Sequence, residues 1–159
     1  MKNLHYLFLM ILGLLVTACG SETASSDTQT ENTEIQHELP ALPQETIEAL
    51  STQCDNIQYI FRNYPISFTQ NEIPSIRQTL NFIQEETATV PDQCQPTAEM
   101  IFLGNGEILA DALIYFLEDC SYIVFKENGQ PTYSHKLSEA GKNFYEKILN
   151  NYYRSAQQQ

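Results

Sequence analysis

The 159-residue chain contains no tryptophan, and its cations are scarce: eight Lys and Arg stand against 20 Asp and Glu. A nucleic-acid surface needs clustered cations to displace counterions from phosphates, and no long basic run occurs here. Three histidines, none clustered, and the lack of any C-x-x-C pair leave no ligand set for a structural metal. "Gly104-Asn105-Gly106" lacks the Gly-x-Gly-x-x-Gly spacing of a nucleotide loop and opens no helix. The apolar run from Leu4 to Val16, about 13 residues, falls short of the roughly 20 that a spanning helix needs.

That short run is informative in its own right. It follows a basic start, Met1-Lys2-Asn3, and leads into small residues, the layout of a secretory signal peptide over 1–18. The residues that close it, Leu15-Val16-Thr17-Ala18-Cys19, resemble the lipobox of bacterial lipoproteins. The resemblance covers only the first 20 or so residues. It implies cleavage before Cys19, thioether diacylation of Cys19 and acylation of the new N-terminus. Two or more acyl chains anchor a protein stably, where a single chain binds marginally. Gly20 follows the cysteine, and in the enteric sorting pattern this implies the outer membrane. The expected location is therefore the bacterial cell envelope, lipid-anchored, with the domain periplasmic or surface-exposed.

The cleaved chain would carry a net charge of −13, since all 20 acids remain and Lys2 is lost. The charge is uneven: residues 19–125 hold two bases and 17 acids, residues 126–159 five bases and three acids. Such a field disfavours nucleic acid and anionic lipid surfaces and keeps the protein soluble. Residues 19–44 are rich in Ser, Thr, Glu, Asn and Gln. They bury too little to offset ordering entropy, so they are expected to be a flexible, lipidated linker that includes a solvated His37. A single globular domain over 45–153 then carries eight Tyr and seven Phe, and 154–159 reads as a disordered tail.

Within the domain, Ile47, Leu50, Cys54, Ile57 and Phe61 recur at helical spacing, and Pro65 ends that run. A second helix is expected from residues 70–72 to about Glu86, begun by a Thr69–Glu72 capping box or by Asn71, with Pro74 in its first turn. Strands follow at Glu99–Leu103, Glu107–Leu117, Cys120–Phe125 and Pro131–Lys136, joined through Gly104-Asn105-Gly106, Glu118-Asp119 and Asn128-Gly129. Ser138 caps a last helix to about Asn150 that buries Ala140, Phe144 and Ile148. The fold class is α+β: two N-terminal helices, a four-stranded antiparallel meander and a C-terminal helix, with the helices on one face of the sheet. This order of elements is similar, in topology alone, to small lipoproteins of the outer-membrane assembly machinery and to some protein inhibitors of β-lactamase.

With Cys19 acylated, three thiols remain, and an exported compartment permits one disulfide. Cys94 precedes the first meander strand and Cys120 follows the second, so their pairing is favoured; Cys54–Cys94 is the alternative. Cys54 otherwise sits as a small buried thiol on the first helix. His135, beside Ser134 in an edge strand, forms no triad, because neighbouring strand residues face opposite sides. Asp111 is an isolated carboxylate in an apolar strand, of interest only if paired. No catalytic residue, metal ligand or cofactor is assigned. Tyr115, Tyr122 and Tyr133 could form a cross-strand ladder, either as packing or as a ligand platform. The expected function is a lipid-anchored envelope protein with a non-enzymatic protein-interaction or structural role. The alternatives are a glycan-, peptide- or small-ligand-binding module on that aromatic face and, after it, an enzyme of unknown class.

Overall fold

The computed structural model describes residues 37–117 and 119–158, with His37 described in its backbone only. The expected signal peptide, Cys19 and most of the expected linker lie outside the described residues. In chain order the elements are β1 (His37–Glu38), α1 (Gln44–Gln53), β2 (Asn56–Phe61), β3 (Ser67–Gln70) and α2 (Ile73–Leu80). Then come β4 (Thr89–Val90), β5 (Ala98–Gly104), β6 (Glu107–Tyr115), β7 (Tyr122–Glu127), β8 (Gln130–Lys136) and α3 (Glu139–Ala156). The fold is α+β, and six strands form one antiparallel sheet in the order β3-β2-β5-β6-β7-β8.

The expected meander is present as β5 to β8, but two further strands extend it, at the expense of the expected first helix. That helix ends at Gln53, and Cys54 leaves it with ψ 119°, so Cys54 is a C-cap and not a mid-helix residue. Ile57, Tyr59 and Phe61 then alternate inward from β2 while Gln58 and Ile60 point out. A spacing of four residues fits one helical face and equally a period of two; Tyr59 breaks the tie, since only a strand puts it beside Ile57 and Phe61. The segment after Phe61 turns into β3 instead of linking two helices. The resemblance in element order to outer-membrane assembly lipoproteins and β-lactamase inhibitors loses its basis with this change.

α2 also stops early. Glu72 is its N-cap with no side-chain bond, so neither expected cap operates, although Pro74 does sit in the first turn. Beyond Leu80 the chain serves the edge of β8: Gln84 N–H donates to the Lys136 carbonyl, and Lys136 N–H donates to that of Glu86. An unpaired strand edge is a liability, and this segment covers it. Ser134 N–H donates to the Pro40 carbonyl, so residues ahead of α1 cover the same edge. The expected linker therefore ends earlier than residue 44: β1 pairs with β4, and Leu42 is buried.

Two hairpins set the register of the meander. Asn105 and Gly106, then Asn128 and Gly129, all have positive φ (53°, 83°, 53° and 78°). Two consecutive positive values match the twist of the flanking strands, which is why Asn-Gly is favoured there. All three helices pack on one face, where Ile57, Tyr59, Met100, Phe102, Ile114, Ile123 and Phe125 meet Leu50, Ile76, Tyr145 and Leu149. The other face is not bare. Leu113, Tyr115 and Val124 pack there with Cys94 and Cys120 beneath Leu39 and Val90.

Ser138 caps α3, its side chain accepting from Gly141 N–H at 3.2 Å. The helix runs on to Ala156, so residues 154–156 of the expected tail are helical. Its inner face is Gly141, Tyr145 and Leu149, one residue out of phase with the expected Ala140, Phe144 and Ile148. Phe144 and Ile148 are half-buried and Ala140 is exposed. The ring of Tyr145, wholly buried, sets that phase by packing between Tyr59, Phe82 and Phe116.

Candidate functional site

His135 is the first residue to test for chemistry. It is 2 % exposed, and both ring nitrogens are engaged by backbone. Leu42 N–H donates to Nε2 at 2.9 Å, and Nδ1 lies 2.7 Å from the Gln84 carbonyl oxygen. An amide can only donate, so Nε2 holds a lone pair and Nδ1 carries the proton it gives to Gln84. The ring has no nitrogen left for a substrate. It fastens the strand-edge cover on one side to the post-α2 segment on the other. Ser134 faces the opposite way, its hydroxyl donating to the Ala88 carbonyl with that of Leu39 also in reach at 3.3 Å. Asp111 is paired with its cross-strand neighbour Lys126 at 3.1 Å, a half-exposed surface pair. Among the described residues no group of His, Cys, Asp and Glu could hold a metal ion.

Cys94 and Cys120 are joined, with Sγ atoms 2.03 Å and Cα atoms 5.9 Å apart. Cys54 is free and buried; burial, ahead of all else, pushes its thiol pKa up, which disfavours the thiolate.

The three tyrosines of the expected ladder do not share a face. Tyr115 and Tyr122 meet edge to face at 6.4 Å on the outer side, beneath Leu39 and Val90. Burial pushes the Tyr115 pKa up. Tyr133 lies on the helix side, opposite Phe125. A β-bulge is the cause. From the Asn128-Gly129 turn, Glu127 pairs with Gln130 and Lys126 with Pro131, but then Phe125 pairs with Tyr133, leaving Thr132 over. One extra residue flips every side chain beyond it to the other face. The same bulge turns His135 inward, toward Leu42. Pro131, with no N–H to lend the ladder, marks where the interruption is least costly.

Two concavities stand out among the described residues. The larger, about 520 Å³, opens between α1 and α2. Its walls are Ile47, Leu50, Leu80 and Ile83, with Leu42 and His135 also in its lining. Its volume and apolar lining suit a ligand or an inserted side chain. Glu85 is the carboxylate in its lining, and no ion pair or hydrogen bond engages that carboxylate among the described residues. The smaller, about 300 Å³, is lined by Tyr64, Leu117, Glu146, Leu149, Asn150 and Tyr153. Tyr64 meets Tyr153 edge to face at 5.9 Å, and Tyr152 stands 6.4 Å behind it. The neighbouring Tyr153 hydroxyl, then burial, push the Tyr64 pKa up.

Neither concavity was named by the sequence pattern. Ile47, Leu50, Leu80 and Ile83 showed as helical apolar spacing, which does not tell a core stripe from a cleft wall. "Asn151-Tyr152-Tyr153-Arg154" offered a signal, two adjacent tyrosines in a polar setting, but Tyr64 joins them only through the β2–β3 hairpin. No family model matches the chain, and no curated protein or solved structure matches it.

Proposed function

We propose that this chain is a lipid-anchored protein of the bacterial cell envelope, held at Cys19, whose globular domain binds a protein partner and catalyses no reaction. The α1–α2 cleft carries the binding half of this reading. Its walls are apolar with a polar rim that includes Gln44, Ser51 and Gln84, it is large enough for an anchoring side chain, and its one histidine is spent on backbone bonds. Ile47, 37 % exposed at its edge, offers a partner apolar surface to cover. Glu45 and Glu48 on α1, with Glu85 in the lining, favour a partner that inserts an aliphatic side chain flanked by basic residues. The lipobox resemblance carries the anchoring half.

Palmitate labelling of the wild type against Cys19→Ala tests the anchor; label retained by the variant removes it. A photo-crosslinker at position 47, with a control at exposed Asn143, tests the cleft in intact membranes. One discrete adduct from position 47 alone, lost in a Leu80→Asp background that still folds, is the expected result. A freely soluble mature protein with no adduct refutes the partner role.

A further inference from the structure

We infer that the notch between α3 and the β2–β3 turn is a saccharide-binding site that takes one sugar ring of a pyranose oligosaccharide. This site is separate from the α1–α2 cleft and does not depend on its having a protein partner. Glu146, Asn150 and Tyr153 fall at spacings of four and three on α3, which places them along one helical face. Tyr64 and Leu117 close the notch from the sheet side, and buried Leu149 forms its floor. Tyr153 is 46 % exposed and Leu117 37 %, so an aromatic and an aliphatic side chain both present open surface at the notch.

The polar groups decide the ligand class. Glu146 is half-buried, yet no ion pair or hydrogen bond engages its carboxylate among the described residues. A carboxylate only accepts, so it calls for a ligand rich in donors. Asn150 beside it both donates and accepts. A pyranose meets all three demands: its C–H face stacks on an aromatic ring, and adjacent hydroxyls reach the carboxylate and the amide. A hydrocarbon chain would leave Glu146 desolvated without a partner. An anion would be repelled by it. A proline-rich peptide would stack on tyrosine but lacks the N–H donors Glu146 needs.

The intact protein, in a detergent without a sugar headgroup, is titrated with chitotetraose and with cellotetraose while tyrosine fluorescence is followed; no tryptophan masks it. Saturable quenching is expected, weakened about tenfold in Tyr153→Ala and in Glu146→Gln, with circular dichroism unchanged. A proline decapeptide is expected to have no effect. No saturable response to either sugar up to about 10 mM overturns the inference. So does sugar binding that survives both substitutions unchanged, or a proline decapeptide that binds where the sugars do not.

Discussion

Replacing His135 with phenylalanine tests the claim that its ring is a structural clasp. The substitution keeps an aromatic ring beside Phe125, whose centroid is 6.2 Å away, but removes both nitrogens. Leu42 N–H and the Gln84 carbonyl then lose their partners. An orphaned buried polar group costs about 1–3 kcal/mol. Gln84 is exposed and water can replace its bond, so most of the cost falls on Leu42, which is 6 % exposed. A loss of about 2–3 kcal/mol in urea unfolding at neutral pH is expected. Part of it can be met by releasing residues 39–43 locally, against the bonds that Ser134 makes to the Leu39 and Pro40 carbonyls. Hydrogen exchange separates the two: the Leu42 amide should exchange about 30-fold faster or more, ahead of amides in β5 and β6. His135→Gln, whose amide oxygen can accept from Leu42, should recover part of the loss. An unprotonated Nε2 in the ¹⁵N spectrum of the wild type is required. A protonated Nε2, or a phenylalanine variant within about 0.5 kcal/mol of wild type with Leu42 still protected, refutes the assignment.

Four further outcomes follow from the same packing. Cys94→Ser with Cys120→Ser opens a link of sequence separation 26, and the chain-entropy relation gives a loss of about 3.5 kcal/mol, read as a lower urea midpoint. Cys54 should resist a thiol reagent until the protein unfolds, because it is buried and its pKa is raised; fast labelling in the native state contradicts that. Burial pushes the Tyr59 pKa up to about 12, above the ordinary value near 10. Its contribution is therefore complete below about pH 10 and lost as pH rises toward 12, by about 3 kcal/mol; Tyr59→Phe should flatten that alkaline slope. Gly141→Ala gains about 1 kcal/mol of helix propensity. The new methyl, however, meets Leu137 Cδ1 and Phe82 Cβ at 2.7 Å, so a net loss of about 1–2 kcal/mol in thermal or urea unfolding is expected.

Local chemistry wrote some of this fold openly in the sequence. Asn105-Gly106 and Asn128-Gly129 specify positive φ within two residues, and Ser138 caps α3 through a bond three residues away. The placement of Cys94 beside Cys120 needed only the order of two adjacent strands. What stayed hidden depended on distant partners or on phase. Ile57 and Phe61 satisfy helix and strand alike, and the choice falls to β5, some 40 residues on, which offers Met100 opposite Tyr59. Residues 39–43, Leu-Pro-Ala-Leu-Pro, read as the end of a linker because a long polar stretch precedes them and two prolines punctuate them; their order comes from β8, whose edge needs covering. The bulge at Thr132 is the most consequential case. An unbroken ladder from the Asn128-Gly129 turn would set Tyr133 opposite Val124, on the face of Tyr122, and His135 opposite Tyr122. The aromatic platform expected from the sequence is what that ladder would build. One added residue instead sends Tyr133 to the core face and turns His135 inward to Leu42. A ligand platform and a structural clasp thus differ by a single residue of register, and Pro131 was the only local mark of where that residue is gained.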